Sequence, residues 1–261
     1  MEALADGAGL DEGTPLHLAA RLGKCAALAA LFDHGADLAA VDGDGRTALH
    51  CAALMGHVNA VAVLMDSGLD VNATSTNGTV LHCAALGGHV GAIRLLLSRG
   101  ASVGAIDPMG QTALHYAAEN GHMEALVALL EGGADPSATD RTGQTPLLHA
   151  ARWGHWAAVE ALLKRGADAA DSDYLGQTIL HYSAMGGDVC SAALVLGWGA
   201  HLDARDGVGD TPLHYAAQRG NVDVAAFLQR RGADPEARDH GGRTPGDLEL
   251  LVGQDGVAGR P

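Results

Sequence analysis

Residues 140–168 read DRTGQTPLLHAARWGHWAAVEALLKRGAD, and the phrase that opens at Thr145 is one of eight near-copies in the chain. The others begin at Thr14, Thr47, Thr79, Thr112, Thr178, Thr211 and Thr244, as TPLHLAA, TALHCAA, TVLHCAA, TALHYAA, TILHYSA, TPLHYAA and TPGDLEL. Their spacing is 33 residues throughout, except for 32 between Thr47 and Thr79. A fixed period of roughly 20–50 residues marks stacked units, each too small to bury its own apolar face.

Thr145 is suited to accept a hydrogen bond from a first-turn amide, as a helix N-cap does. Pro146 follows where a missing N–H costs nothing. The first helix is expected to run to about Trp153 and to stop at Gly154, a residue free to take positive φ. A second helix begins near Trp156, with Val159, Leu162 and Leu163 at helical spacing on one face. Gly166 closes it, and a turn around 173–176 leads to the next threonine. Helices this short do not persist alone in water, so only stacking can stabilise them.

The T-x-L-H-x-A-A phrase, the G-H pair and the closing G-A-D resemble the ankyrin repeat, over residues 11–253. The resemblance implies an all-α solenoid of about seven helix–turn–helix repeats, a partial C-terminal repeat and β-turn fingers. It divides the chain into a short flank or truncated cap at 1–13, the array at 14–253 and a tail at 254–261. Either the flank folds over the end of the array or the chain is cut from a longer protein. Four departures from the pattern stand out. The finger between Asp70 and Thr79 is one residue short, Leu148-His149 inverts the usual order, His201 replaces the Asp of G-A-D, and Gly246-Asp247 replaces Leu-His.

Thirty-one acidic residues against 16 basic ones leave a net charge of −15, which argues against nucleic acid, whose binding rests on Lys and Arg. No apolar run reaches the ~18–20 residues a membrane span needs, and no signal peptide is visible. A monomer without membrane insertion is expected, in the cytoplasm or the nucleus. Cys25, Cys51, Cys83 and Cys190 form no C-x-x-C pair and are expected as free, buried thiols. Ten of the 14 histidines sit at two repeat-locked places. One layer apart, they cannot share a zinc ion, whose ligands lie ~2.0–2.1 Å away. The resemblance implies that the histidines three after each threonine bond to turn backbone and to the threonine hydroxyl. No nucleophile elbow, P-loop or H-E-x-x-H is present, so no catalytic residue, metal or cofactor is expected.

The resemblance implies non-enzymatic binding of a protein partner, as scaffold or adaptor, by the finger tips and the exposed side of each first helix. The alternative is the ankyrin targeting segment of a larger channel, kinase or ubiquitin-ligase adaptor. The variable positions hold Met109, Arg152, Trp153, Tyr174, Leu175 and Met185 in adjacent repeats. Trp, Tyr and Arg are enriched at interface hot spots, so these six form the expected docking patch, with Leu54, Met55 and Leu86 a second one. Trp156 is expected in the core, since its equivalents are mostly valines. Asn72, which ends LMDSGLDVN, resembles ankyrin asparagines that are hydroxylated.

Overall fold

Every threonine phrase is the start of a helix. In a computed structural model of the chain, residues 13–248 are described, and they fall into two compact units, Met1–Arg141 and Thr142–Pro261. The first unit holds α1 (Pro15–Arg21), α2 (Cys25–Asp33), α3 (Ala48–Leu54), α4 (Val58–Asp66), α5 (Val80–Leu86), α6 (Val90–Ser98), α7 (Ala113–Glu119) and α8 (Met123–Glu131). The second holds α9 (Pro146–Arg152), α10 (Trp156–Lys164), α11 (Ile179–Gly186), α12 (Val189–Gly197), α13 (Pro212–Gln218) and α14 (Val222–Arg230).

Within the first unit α1, α3, α5 and α7 pack in one row and α2, α4, α6 and α8 in a second. In the second unit α9, α11 and α13 form the first row, and α12 packs on α14. The leucine two after each threonine except Thr244, such as Leu49, Leu114, Leu147 and Leu180, is buried. So are Val61, Ile93, Leu126 and Val159 from the second helices. Burying a side chain of this size contributes about 1.5–3 kcal/mol.

The shortened finger is a hairpin: β1 (Thr74–Ser75) pairs antiparallel with β2 (Gly78–Thr79). Two other fingers carry isolated antiparallel bridges, Ile106 with Thr112 and Ser172 with Thr178. Residues 245–248 are helical and belong to the partial terminal repeat. There Asp247 takes the place of histidine, accepting from the Thr244 amide at 2.8 Å. The expected flank, Gly13 apart, and the expected tail lie outside the described residues.

Histidine ties cap to cap. The Thr178 amide donates to His181 Nδ1 at 3.0 Å, and the Thr178 hydroxyl accepts from the His181 amide. Nδ1 is therefore the unprotonated nitrogen, so Nε2 carries the proton and donates to the Asp210 carbonyl in the next repeat at 3.2 Å. The same chain runs from His17 to Arg46, from His82 to Gln111 and from His214 to Arg243. His50 is different. Its acceptor would be Gly78, in the shortened finger, and Nε2 lies near the Ala73 and Gly78 carbonyls without meeting either in hydrogen-bond geometry. Thr145 differs too. With Leu148 at the third helical position, its hydroxyl accepts from the Leu148 amide, and Leu148 has no acceptor to return the bond.

A second histidine set, just after the helix-ending glycine, also crosses between repeats. His57 Nε2 donates to the Arg21 carbonyl at 2.9 Å, His89 to Leu54 at 2.9 Å and His122 to Leu86 at 3.0 Å. Asn221 does the same for Ala184 and Met185, at 2.8 and 3.0 Å.

Burial pushes the His50 imidazole down to about 4 and lowers His82 and His181 as well. A folded-state pKa below the ordinary ~6.5 means that the unfolded chain takes up protons first as pH falls. The contribution of His50 to stability is therefore full above about pH 6.5 and is lost progressively as pH falls from there to about 4. That loss comes to roughly 3 kcal/mol. Denaturant midpoints measured at about pH 7.5 and about pH 4.5 are expected to differ accordingly; equal midpoints would contradict neutral, buried imidazoles.

Candidate functional site

An aspartate closes each long finger and aims its tip outward. Asp173 Oδ1 accepts from the amides of Leu175 and Gln177, both at 2.9 Å. Its Oδ2 accepts from the Tyr182 hydroxyl at 2.8 Å and faces Gln144 Nε2 at 3.5 Å. Burial first, and the Asp173 bond second, push the Tyr182 hydroxyl well above its ordinary pKa, so it remains a donor. Asp107 holds the Met109 and Gln111 amides and Tyr116 in the same way. Asp206 does so for Val208, Asp210 and Tyr215. The residue two after each aspartate is thereby turned to solvent: Met109 is 64% exposed, Leu175 65% and Val208 56%.

The expected patch divides between the units. Met109 lies in the first, where its carbonyl accepts from the Arg141 amide at 2.9 Å. Arg152, Trp153, Tyr174, Leu175 and Met185 lie in the second. Trp153, the cap residue of α9, is 58% exposed, and Tyr174 is 76% exposed. The Tyr174 amide donates to the Thr142 carbonyl at 3.0 Å. Its ring lies over the neighbouring finger, so that a methyl on Gly143 would meet it at 2.5 Å. Arg152 is exposed and Met185 half-buried.

A groove of about 690 Å³ runs between these side chains. Arg152, Trp153, Leu175 and Met185 line it, and so do Trp156 and Arg219. Trp156 is thus not a core residue. As the first residue of α10 it sits at the repeat edge and is half-buried, and its equivalents Val58 and Val222 are 37% and 64% exposed. Arg219, eight residues after Thr211, occupies the same variable position as Trp153 after Thr145. Extending the spacing rule by one repeat would have found it, and Val208 with it.

The groove has a local cause. Where a histidine or asparagine follows Gly56, Gly88, Gly121, Gly154 and Gly220, this seam has Asp188 after Gly187. A carboxylate cannot donate across the seam, and Asp188 instead caps its own helix, accepting from the amides of Cys190 and Ser191 at 3.1 and 3.0 Å. At Gly23 or Gly88 an added methyl would strike the next imidazole at 2.7 Å; at Gly154 the nearest atom is Trp156 Nε1, 4.0 Å away. The Arg152 carbonyl, equivalent to the acceptors on Arg21, Leu54 and Leu86, receives no such side-chain bond among the described residues. Of the neighbouring second helices within either unit, α10 and α12 touch least.

In the first unit Met55 and Leu86 are exposed and Leu54 is half-buried. Leu54 and Met55 line a recess of only about 80 Å³. Asn72 is exposed, and its carboxamide links two loops, donating to the Gly100 carbonyl at 3.3 Å and accepting from the Ser102 amide at 2.8 Å. All four cysteines are free. Cys51 and Cys83 are buried, which pushes their thiols up to about 11 and about 12. Cys25 is half-buried and Cys190 exposed, contrary to the expectation of four buried thiols. Both stand in second helices, at the first and second positions, outside the packed face. Among the described residues no helix is long and apolar enough to cross a membrane. No group of three or more His, Cys, Asp or Glu among them could hold a metal ion.

Family models described as "Ankyrin repeats (3 copies)" match residues 2–75, 81–173 and 166–239, and one described as "Ankyrin repeats (many copies)" matches residues 55–97. No curated protein matches the chain. Among solved structures, the crystal structure of the human ASB11 ankyrin repeat domain is similar, with a TM-score of 0.77 and 29% sequence identity over 85% of this chain and 99% of that one. Ankyrin repeats are generally protein–protein interaction modules built on a non-catalytic scaffold. With its threonine–histidine caps and paired helices repeated at every match, the chain belongs to the ankyrin-repeat family.

Proposed function

We propose that this chain is a non-enzymatic docking module that captures a protein partner by surface complementarity, as a scaffold or adaptor. The observation that carries this reading is the exposure of Trp153 and Leu175 around one groove, with Tyr174 on the adjoining finger tip. Apolar area of this kind, open to water and rimmed by polar groups, is typical of interaction sites. Arg152 and Met185 complete the contact; in the first unit Met109 is a separate exposed candidate, and Leu54, Met55 and Leu86 form a lesser one. Asn72 is exposed and remains a candidate for hydroxylation, which intact mass after co-expression with an asparaginyl hydroxylase would detect. A second reading, in which the array supplies targeting within a larger channel, kinase or ubiquitin-ligase adaptor, is supported by the likeness to a structure described as one domain of its protein. The test is affinity capture with the wild-type chain and with Trp153→Ala/Tyr174→Ala. A partner retained by the first and lost by the second supports the docking face; equal capture by both sinks it.

A further inference from the structure

We propose that the groove beside α9 and α11 is a receptor for an acidic peptide: an extended segment carrying a carboxylate next to an apolar or aromatic side chain. This deepens the docking reading and rests on it.

Three features of the groove select that chemistry. The first is charge. Although the chain carries −15 overall, the exposed charges lining the groove are the guanidiniums of Arg152 and Arg219. Neither forms an ion pair among the described residues, whereas Arg46, Arg94, Arg99 and Arg243 all do. The one carboxylate in the lining, Asp173, is buried, and both of its oxygens are taken by Leu175, Gln177, Tyr182 and Gln144. A planar guanidinium binds a carboxylate through paired N–H donors. At physiological ionic strength the repulsion from acids farther than about 8 Å is largely screened, and the Asp188 carboxylate at this seam is held by the Cys190 and Ser191 amides at the start of its own helix, so these two arginines dominate what a short ligand meets.

The second feature is the apolar part. Trp153, Trp156, Leu175 and Met185 line the same groove. They offer aromatic and thioether surface, which suits an aromatic or branched aliphatic side chain. The third is a backbone acceptor. The Arg152 carbonyl, whose counterparts on Arg21, Leu54 and Leu86 are covered by histidine, is left for an incoming peptide N–H by the exchange of histidine for Asp188. A carboxylate, an apolar side chain and an amide donor in close sequence describe a peptide better than any small metabolite. The exchange of one residue thus both opens the groove and leaves it an unused acceptor.

The experiment is a blind selection of random 12-residue peptides displayed on phage against the full chain, followed by binding of the consensus peptide, fluorescein-labelled, by polarisation. Expected is enrichment of Asp or Glu within two residues of Phe, Trp or Leu. Arg152→Glu/Arg219→Glu is expected to weaken the selected peptide at least about 30-fold. Asp188→His, which restores the imidazole that fills this place elsewhere, is expected to weaken it at least about 10-fold. Melting temperatures of the variants check folding. Should Asp188→His melt early, Arg219→Glu alone, at an exposed position, carries the test, with a loss of at least about 5-fold. No enrichment, a basic or purely apolar consensus, or affinity unchanged in the arginine variants would overturn the proposal. If Trp153→Ala/Tyr174→Ala still abolishes partner capture in that event, the docking module stands and only its acidic ligand falls.

Discussion

A chain carrying His181→Leu is expected to melt roughly 10 °C below the parent. The imidazole is fully buried and joins three groups: the Thr178 amide, the Thr178 hydroxyl and the Asp210 carbonyl of the next repeat. Leucine fills a similar volume but leaves that amide and that carbonyl without partners in a dry interface. Each of these two orphaned buried groups costs about 1–3 kcal/mol, so the loss comes to about 2–6 kcal/mol. In a stacked array stability is close to a sum of repeat and interface contributions, and the damage should appear at the interface of α11 with α13. His201→Leu, at an exposed position outside this network, is the control and should shift stability by no more than about 0.5 kcal/mol. Thermal melts of the two variants decide the matter. Equal melting would show that the threonine–histidine chain is ornament and that apolar packing alone holds the repeats.

Trp153→Ala with Tyr174→Ala is expected to raise the Kd for the captured partner at least about 100-fold, close to 2.7 kcal/mol. Truncating a tryptophan or tyrosine at the centre of an interface commonly costs ~2–4 kcal/mol. Both side chains are more than half exposed, at 58% and 76%, so the free protein loses little packing. Its melting temperature should move by no more than ~2–4 °C. Surface plasmon resonance against the captured partner, paired with a melt of the same preparation, separates the two effects. A large drop in melting temperature would mean that these rings hold the fingers together, as the seat of Tyr174 over Gly143 permits, and that binding is lost through folding.

Most of the architecture was legible because the period was. The threonine fixed where each first helix starts, the glycine nine residues later fixed where it stops, and the leucine two after the threonine fixed what faces inward. The one-residue-short finger pointed to a tighter turn, and the chain there forms the β1–β2 hairpin. Its cost to His50, whose Nε2 lacks the acceptor its equivalents have, could not be read from spacing. The face was legible in part. Arg152, Trp153 and Leu175 stand at positions named by the repeat, and the structure puts them around one groove. Trp156 misled, because apolar equivalents suggested core where the helix start lies at an edge. The groove was hidden because its cause is a missing bond. Asp188 reads as one more acidic turn residue until its equivalents are seen donating across the other seams.

Hydrogen–deuterium exchange on the chain alone and with its captured partner tests the central claim most directly, since it reports where the partner sits without altering any residue. Slower exchange is expected in residues 144–153 and 174–186, at the fingers and first-helix ends around the groove, with little change along 157–164 and 191–197 of the second helices. Protection confined to those second helices, with the groove segments exchanging as in the free chain, would contradict it.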